Sequence, residues 1–494
     1  MNCKVPRISA WSRGLGKMLV AASLLACAAW PAAVSALPLF ARQTGQNCLA
    51  CHAGGQFPEL TNYGRLFKMT GYTLGIRTLP ISAMALASLS KVANTSKSDD
   101  PAADFQKNDK PLLATASVFL GGRITDNIGA FTQFTWDPYA ITTDSGGFKG
   151  QFSADNIDVR YADRIVSDST DLIFGVSTNN NPSVTDPWNT AAAWMQYVPV
   201  PSPTSSQFID GASPYPGLAA GGNIAGLNAY AFLNQLLYVE AGVYRTAKGL
   251  FSVMRAGSKD ADVTKLRGNN PYLRVALSQN WGANSLMVGT TRMTARIYDD
   301  PLDTSDPTTT HRYLDQIFDA QYQYVLDPHV VTLQAVLSHD RHDYPAFLVG
   351  QPAAFVDSHG GALPATSPTD RTRLLRTKLT YVYQARYGAS LSLFDLAGSS
   401  NTALQSSGYD PVTLTVTAAA DAQAPSTRVG GNLAGKPDTR GMTWETFWTP
   451  IQNVRIGAQY TAYARFNGAR TNYDGFGRNA KDNNSLFLYA WAAY

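Results

Sequence analysis

The feature that most constrains the fold is an alternation of apolar and polar residues, which recurs from about residue 80 to the end of the chain. Near the C-terminus, for example, Ile456, Ala458 and Tyr460 alternate with Arg455 and Gln459. A period of two is typical of a strand with one apolar face and one polar face. Segments of about ten residues or more with this pattern are long enough to cross a membrane as tilted strands.

The alternating segments come in pairs joined by short turns, such as 125–127 and 326–328, and long loops such as 181–225, 343–371 and 400–438 separate the pairs. Short turns on one side and long loops on the other are typical of outer-membrane barrels, whereas a soluble sandwich has shorter strands. Sixteen candidate strands begin near residues 81, 111, 128, 155, 170, 226, 236, 270, 284, 313, 329, 373, 387, 439, 453 and 484.

These segments predict an all-β transmembrane barrel of about 16 antiparallel strands over residues 80–494. The patterns near 81 and 226 are the weakest, so fourteen and eighteen strands are the alternatives. An even number of strands places both ends of the barrel in the periplasm. A barrel of this size encloses a lumen, and its polar wall is expected to include Arg160, Gln321, Arg376 and Arg455.

The overall charge narrows the range of partners. The net charge is +4, only 15% of the residues are charged, and no long basic run occurs, which argues against nucleic acid as the main partner. The apolar faces of the strands indicate outer-membrane lipid as the surroundings of the barrel instead.

The first 36 residues have the three parts of a secretory signal peptide. Lys4 and Lys17 belong to a positively charged front, and an apolar stretch follows over 19–30. The sequence Val34-Ser35-Ala36 is then a small-residue cleavage site. The apolar stretch is too short for a transmembrane anchor. Lipoprotein processing at Cys27 is the alternative to ordinary cleavage. We therefore expect export to the bacterial outer membrane.

Only two cysteines remain after residue 36, and they form the sequence Cys48-Leu49-Ala50-Cys51-His52. This is the attachment pattern of a c-type haem, in which two thiols bond to the haem vinyl groups and the adjacent imidazole is the proximal iron ligand. A thioredoxin-like pair would need a βαβ setting, and a zinc site would need a second Cys/His pair nearby. We therefore predict one covalent haem c on Cys48, Cys51 and His52.

Residues 37–79 form the whole haem segment. A short helix is expected there, with Pro58 in its first turn, Leu60 and Phe67 on one face, and Gly71 as its stop. A chain of about 40 residues buries too little to fold unaided. The haem supplies part of the missing core, and we expect this small α-helical segment to plug the lumen so that the barrel wall encloses the rest.

The sixth position of the haem iron has several candidate ligands. Met69 is the nearest thioether downstream, and Met84 is the next, although a methionine can also pack against the ring as core filler. The remaining candidates are Lys68, Tyr63, a distant histidine and water. Arg42 and Arg65 are candidate partners of the haem propionates, or else exposed arginines.

The segments 40–45, 48–52, 57–61 and 64–72, taken together, resemble the fused cytochrome–porins of the bacterial outer membrane, best known as iron oxidases. The resemblance is specific over residues 38–75. It implies a monohaem domain in a sixteen-stranded porin, taking electrons from extracellular Fe(II) and passing them to a periplasmic cytochrome or cupredoxin. Relatives also occur in bacteria not known to oxidise iron, so a conduit for another donor is an alternative.

Electron transfer of this kind needs no acid–base chemistry, so we nominate no catalytic residue. A haem near the mouth of the barrel would keep insoluble Fe(III) outside the cell. His339, Asp340 and His342, with Asp357 and His359 beyond them, are a candidate site for transient iron collection, or else a solvated loop. A rival from another class is a solute channel with a structural or sensory haem plug.

Overall fold

The computed structural model describes residues 38–55, 59–76, 81–94, 111–142, 148–190, 224–255, 264–349, 367–400, 407–410, 415–418, 436–473 and 477–494. The predicted signal peptide, Pro58, Asp357 and His359 lie outside the described residues.

Sixteen antiparallel strands close into one barrel, which confirms the predicted strand number and fold class. The barrel strands are β1 (Ile81–Val92), β2 (Leu112–Arg123), β3 (Ile128–Thr142), β4 (Phe148–Val166), β5 (Asp171–Asn179), β6 (Ile224–Leu233), β7 (Leu237–Thr246), β8 (Asn270–Trp281), β9 (Asn284–Tyr298), β10 (Thr310–Leu326), β11 (His329–Asp343), β12 (Thr369–Tyr383), β13 (Tyr387–Gly398), β16 (Thr439–Ile451), β17 (Val454–Arg465) and β18 (Ser485–Ala493). The strands β14 (Ser407–Asp410) and β15 (Thr415–Ala418) form a separate two-stranded sheet.

Closure is made by β1, which pairs with both β2 and β18. The alternation in the sequence becomes an inner and an outer face, because successive side chains of a strand point to opposite sides of the sheet. The four predicted lumen residues, Arg160, Gln321, Arg376 and Arg455, are all buried inside the barrel. On the outer face Phe318 is exposed, as are residues such as Leu333, Leu379 and Leu488.

One end of the barrel carries the short turns, which have two to four residues each, and we call it the short-turn end. Large aromatic residues lie on the outer face beside these turns, namely Trp281, Tyr383, Tyr387 and Trp448. An aromatic girdle of this kind is typical of the membrane–water boundary of a barrel. Among the described residues, no helix is long and apolar enough to cross a membrane.

Residues 38–76, the N-terminal segment, contain three helices, α1 (Pro38–Thr44), α2 (Cys48–Cys51) and α3 (Asn62–Met69). The start predicted for the last of these was wrong, because α3 begins at Asn62 and not near Pro58. Thr61 is its N-cap, and its hydroxyl oxygen accepts a hydrogen bond from the Gly64 N–H. The predicted stop is in place, since Gly71 adopts a φ of 72° just past the helix end.

The N-terminal segment lies inside the barrel, in the half next to the short-turn end. The backbone of Gly54 packs on Val382, and the Gly55 carbonyl accepts a hydrogen bond from Arg455. Gly71 lies against Gly129 of strand β3. Each of these wall residues is within two residues of a short turn. The Cys48–His52 sequence therefore lies nearer to this end than to the long-loop mouth, where a haem would keep insoluble Fe(III) outside the cell.

Above the N-terminal segment, residues 180–190 fold inward from the end of β5. Asn180, Thr185, Asp186, Trp188 and Thr190 are all buried. They cover the segment on its long-loop side, so the lumen holds two layers of polypeptide at this height.

Residues 339–343, which were predicted to be a loop, form the end of strand β11, so the loop assignment was wrong. Its alternation separates the candidate residues. Asp340 and His342 point into the barrel, whereas His339 and Arg341 point outward. The segment consequently does not form one cluster of ligands. His342 instead pairs with His311, with 2.8 Å between the ring nitrogens.

Candidate functional site

The predicted haem-binding sequence, Cys48–His52, forms a single helical turn. Asn47 caps α2, and its side-chain oxygen accepts a hydrogen bond from the Ala50 N–H. The N–H of His52 bonds to the Cys48 carbonyl at the other end of the turn. Cys48 and Cys51 are three residues apart in this turn, which places both side chains on the same side of the helix. The two cysteines do not form a disulfide.

Helix α3 holds this turn in place through very close backbone contact. A Cβ atom added to Gly64 would lie 2.2 Å from the Cys51 carbonyl oxygen. The Thr61 N–H donates to that carbonyl, and His52 forms an isolated β-bridge with Leu60. The absence of a side chain at Gly64 thus allows the two helices to pack backbone to backbone.

The residues present fit a covalent haem. Two thiols on one side of a turn, followed directly by an imidazole, are the donor set of haem c. No three His, Cys, Asp or Glu side chains converge as a metal site anywhere in the described ranges, so Cys48 and Cys51 have no second ligand pair there for zinc. The fit favours haem over the zinc alternative.

Arg65 anchors the N-terminal segment to the wall between β9 and β10. Its guanidinium group donates to the Gln323 side-chain oxygen at 2.9 Å, to the Ser285 hydroxyl at 2.7 Å and to the Leu60 carbonyl at 2.7 Å. Burial lowers the pKa of Arg65 to about 9, so the group stays charged at neutral pH. Its predicted role as a propionate partner remains a prediction.

Glu59 makes a second anchor, on strand β12. The Glu59 carboxylate is buried and lies 2.9 Å from the Lys378 ammonium group. Burial raises the pKa of Glu59, but Lys378, a backbone hydrogen bond and the Arg455 charge outweigh it, so the pKa is lowered overall. Glu59 therefore carries a negative charge beside two cationic wall residues.

Lys68 makes a third anchor, on the inward loop. Its ammonium group donates to the Asp186 carbonyl at 2.7 Å and to the Asn189 side chain at 3.0 Å. Burial and the nearby Arg160 charge lower the pKa of Lys68 to about 8. These bonds tie α3 to residues 180–190, so Lys68 already has protein partners.

Tyr72 completes the contacts of the segment with strand β4. Its hydroxyl donates to Asp158 at 2.6 Å, and the same carboxylate accepts from Arg160 at 2.7 Å. Burial, followed by the Asp158 charge, raises the pKa of Tyr72 well above its ordinary value. The phenol thus remains a hydrogen-bond donor at any ordinary pH.

The remaining predicted residues occupy different places. Met69 is buried against the wall at Ile173, Tyr230 and Met287, and its carbonyl accepts a hydrogen bond from the Tyr230 hydroxyl. Met84 lies on β1, with its sulfur 3.4 Å from the Trp491 indole nitrogen. Arg42 is exposed and donates to the Ile81 carbonyl.

Sequence reasoning missed the anchoring roles of Glu59, Lys378 and Lys68. The sequence showed that these three residues are charged members of alternating or helical patterns. It did not show which residue each of them would contact. Glu59 and Lys378 are 319 residues apart, so only barrel closure brings them together. The available signal for an anchoring role was the position of Glu59, a charged residue between the Cys48–His52 sequence and helix α3.

No protein-family model matches the chain, and no curated protein matches it. Among solved structures it is similar to Salmonella typhi OmpF in complex with daunomycin, with 10% identity, a TM-score of 0.44, and 84% of this chain and 97% of that chain covered. It is also similar to the outer membrane channel DcaP of Acinetobacter baumannii, with 10% identity, a TM-score of 0.40 and the same coverage. It is similar as well to the trimer form of OmpT, an outer membrane protein of Vibrio cholerae, with 9% identity, a TM-score of 0.41, and 84% of this chain and 99% of that chain covered.

Proposed function

We propose that this protein is an outer-membrane c-type cytochrome that passes electrons from extracellular Fe(II) to a periplasmic cytochrome or cupredoxin. The observation that carries the proposal is the position of Cys48, Cys51 and His52 inside a closed barrel, on a segment anchored to its wall. A barrel that encloses a haem-binding sequence has the arrangement needed to carry electrons across a membrane that mobile carriers do not cross.

The outer face of the barrel supports insertion in the outer membrane. Exposed leucines, valines and phenylalanines cover its middle, and large aromatic residues lie beside the short turns. Such a surface is stable in lipid and would aggregate in water. The protein should therefore fractionate with the outer membrane and require detergent, and recovery as a soluble periplasmic protein would contradict this part of the proposal.

The residues of the segment have defined roles in this function. Cys48 and Cys51 would hold the group by thioether bonds, and His52 would bind its iron. When bound, the haem supplies a one-electron redox centre, so one Fe(II) is oxidised to Fe(III) for each electron passed to the oxidised periplasmic carrier. The charge of Lys378 is balanced by Glu59, so Arg455, which bonds to the Gly55 carbonyl, is the wall residue that adds positive charge beside this turn, and positive charge favours the reduced state.

The direct test is anaerobic mixing of purified, oxidised protein in detergent with Fe(II), followed by the haem absorbance. We expect reduction of a single covalent haem per chain, with pyridine haemochrome and intact mass agreeing on that number. The Cys48→Ser/Cys51→Ser variant is the control and should carry no covalent haem. Reduction by dithionite but not by Fe(II) would rule out iron as the donor and leave another donor to be found.

A solute channel is the second candidate function, because the lumen wall is lined by polar residues such as Gln334, Ser338 and Thr332. Conductance in planar bilayers distinguishes the two. The anchored segment and the inward loop predict little conductance in the intact protein. A large, open conductance together with a haem inert to external donors would favour the channel.

A further inference from the structure

We propose that His311 and His342 bind one divalent transition metal ion at the long-loop mouth of the barrel. The two residues come from neighbouring strands. His311 is the second residue of β10, and His342 is the last but one of β11. Both belong to the inward-facing set of their strands. The site is a further binding function, and it does not depend on the proposed electron transfer.

The histidine pair is far from the Cys48–His52 turn. In strand β12, Asp370 lies opposite His342, and Val382, which packs against Gly54, is twelve residues further along. Twelve residues of strand span about 40 Å. An ion held at the mouth is therefore distinct from the iron of the proposed haem.

The hydrogen bonds of His311 leave one of its ring nitrogens ready to bind a metal. Its Nε2 atom lies 2.7 Å from the Asp299 carboxylate. An ionised carboxylate only accepts hydrogen bonds, so Nε2 carries the hydrogen and Nδ1 has a lone pair. That Nδ1 atom lies 2.8 Å from Nε2 of His342. A carboxylate behind an imidazole is the arrangement that orients metal-binding histidines.

A metal ion fits between the two imidazoles after a small movement. Two nitrogen ligands at about 2.1 Å from an ion lie about 3.0–3.4 Å apart, according to the angle at the metal. The ring nitrogens of His311 and His342 would therefore tilt and separate by about 0.2–0.6 Å. The hydrogen on Nε2 of His342 moves to its Nδ1 atom, so both imidazoles stay neutral. Water fills the other positions, since the described residues provide no third histidine, cysteine or carboxylate ligand there.

Two tyrosines hold the His342 ring in place. The Tyr313 ring stacks on it with 4.1 Å between centroids, and the Tyr344 ring centroid is 3.9 Å away. The Tyr344 hydroxyl donates to Asp370 at 2.7 Å, which fixes that tyrosine in turn. A ring that is already packed loses little freedom when an ion binds, so the arrangement favours binding.

The charge of the surrounding wall favours a cation. Asp370 lies opposite His342, and Asp340 and Asp315 lie opposite each other in the next inward row. The described inward-facing residues of β9 to β12 in these two rows include no lysine or arginine. Imidazole ligands select zinc, copper, nickel and iron, whereas magnesium and calcium prefer oxygen ligands. The site should therefore take divalent transition metals, the class that includes the proposed donor.

The test is Zn(II) binding to the full-length haem protein in detergent, purified without a polyhistidine tag. Equilibrium dialysis followed by metal analysis should find one Zn(II) per chain. His311→Asn and His342→Asn each remove a ligand and should weaken binding at least about tenfold, and Asp299→Asn should weaken it about 10- to 100-fold. His339→Asn is the matched control and should bind as the wild type does, because His339 is exposed on the outer face of β11.

X-ray absorption at the zinc edge should show two imidazole nitrogens at about 2.0–2.1 Å. Covalent haem content and the gel mobility of the unheated barrel verify that each variant is folded. A His311→Asn/His342→Asn variant that binds Zn(II) as the wild type does, or a wild type that binds none, would overturn the site and leave a hydrogen-bonded pair. Because Zn(II) is redox-inert, this result is independent of whether Fe(II) reduces the haem.

Discussion

Glu59 of the N-terminal segment and Lys378 of strand β12 form an ion pair 2.9 Å long, although 319 residues separate them in the sequence. The Glu59 side chain is 1% exposed and that of Lys378 is 14% exposed. Buried charges are costly unless they are paired, so this contact couples the position of the segment to the closed barrel. Loss of one partner should affect the segment before it affects the barrel.

Removal of Glu59 alone should therefore loosen the N-terminal segment. We expect Glu59→Leu to reduce its stability in the lumen by about 3 kcal/mol, because Lys378 is left as a buried charge with no carboxylate partner. The Glu59→Leu/Lys378→Met double variant should recover most of the loss. The stability of the segment in both variants is measured in detergent. The readout is how well the segment resists protease as denaturant is added. Equal losses in the two proteins would show that the ion pair has no special role.

The Glu59–Lys378 ion pair should make the stability of the N-terminal segment depend on pH in the acid range. The folded-state pKa of Glu59 lies below its ordinary value of 4.5, so its contribution to stability is fully present above that value. It is lost as the pH falls below 4.5 and through the folded pKa. Protease protection of the segment should fall over this window. Glu59→Gln, which cannot titrate, should lack this part of the pH dependence, and an identical profile would refute the assignment.

Arg65 should be the strongest single anchor of the segment. Arg65→Met leaves the Gln321, Gln323 and Ser285 side chains without their common donor, and we expect a loss of at least about 3 kcal/mol. Arg42→Met is the matched control, because Arg42 is exposed, and it should cost less than about 1 kcal/mol. The two variants are compared by the temperature at which half of the protease protection of the segment is lost. Similar midpoints for the two variants would contradict the anchoring role.

Gly64→Ala should disturb the Cys48–Cys51 turn itself, to which we assign the haem. The added Cβ would meet the Cys51 carbonyl oxygen at 2.2 Å, so α2 and α3 must move apart, at a cost of about 1–3 kcal/mol. We expect less covalent haem per chain by pyridine haemochrome. Gly45→Ala is the control, since its added Cβ meets nothing within 4 Å; alanine is strained at the Gly45 φ of 70°, but this strain does not touch the contact between α2 and α3, so haem attachment should stay full. Full haem attachment in Gly64→Ala would show that this close contact is dispensable.

Most of the barrel was predictable because strand pairing imposes a local pattern. A period of two, the short turns and the position of the last strand are all readable within about twenty residues of sequence. The starts of β4 and β12 were placed several residues too late, at 155 and 373, whereas the strands begin at Phe148 and Thr369. At their long-loop ends, both strands extend beyond the part of the sequence that alternates clearly. There the side chains no longer divide into a lipid-facing and a lumen-facing set.

The sequence by itself determined the class of the fold and supplied the Cys48, Cys51 and His52 pattern on which the haem proposal rests, because both depend on residues close together in the chain. Only the tertiary structure decided which wall residues Met69 and Met84 pack against, and which wall residue each charge of the segment meets. The physical reason is barrel closure. The angular position of a strand around the lumen depends on all the strands before it, so contacts across the lumen leave no local trace in the sequence.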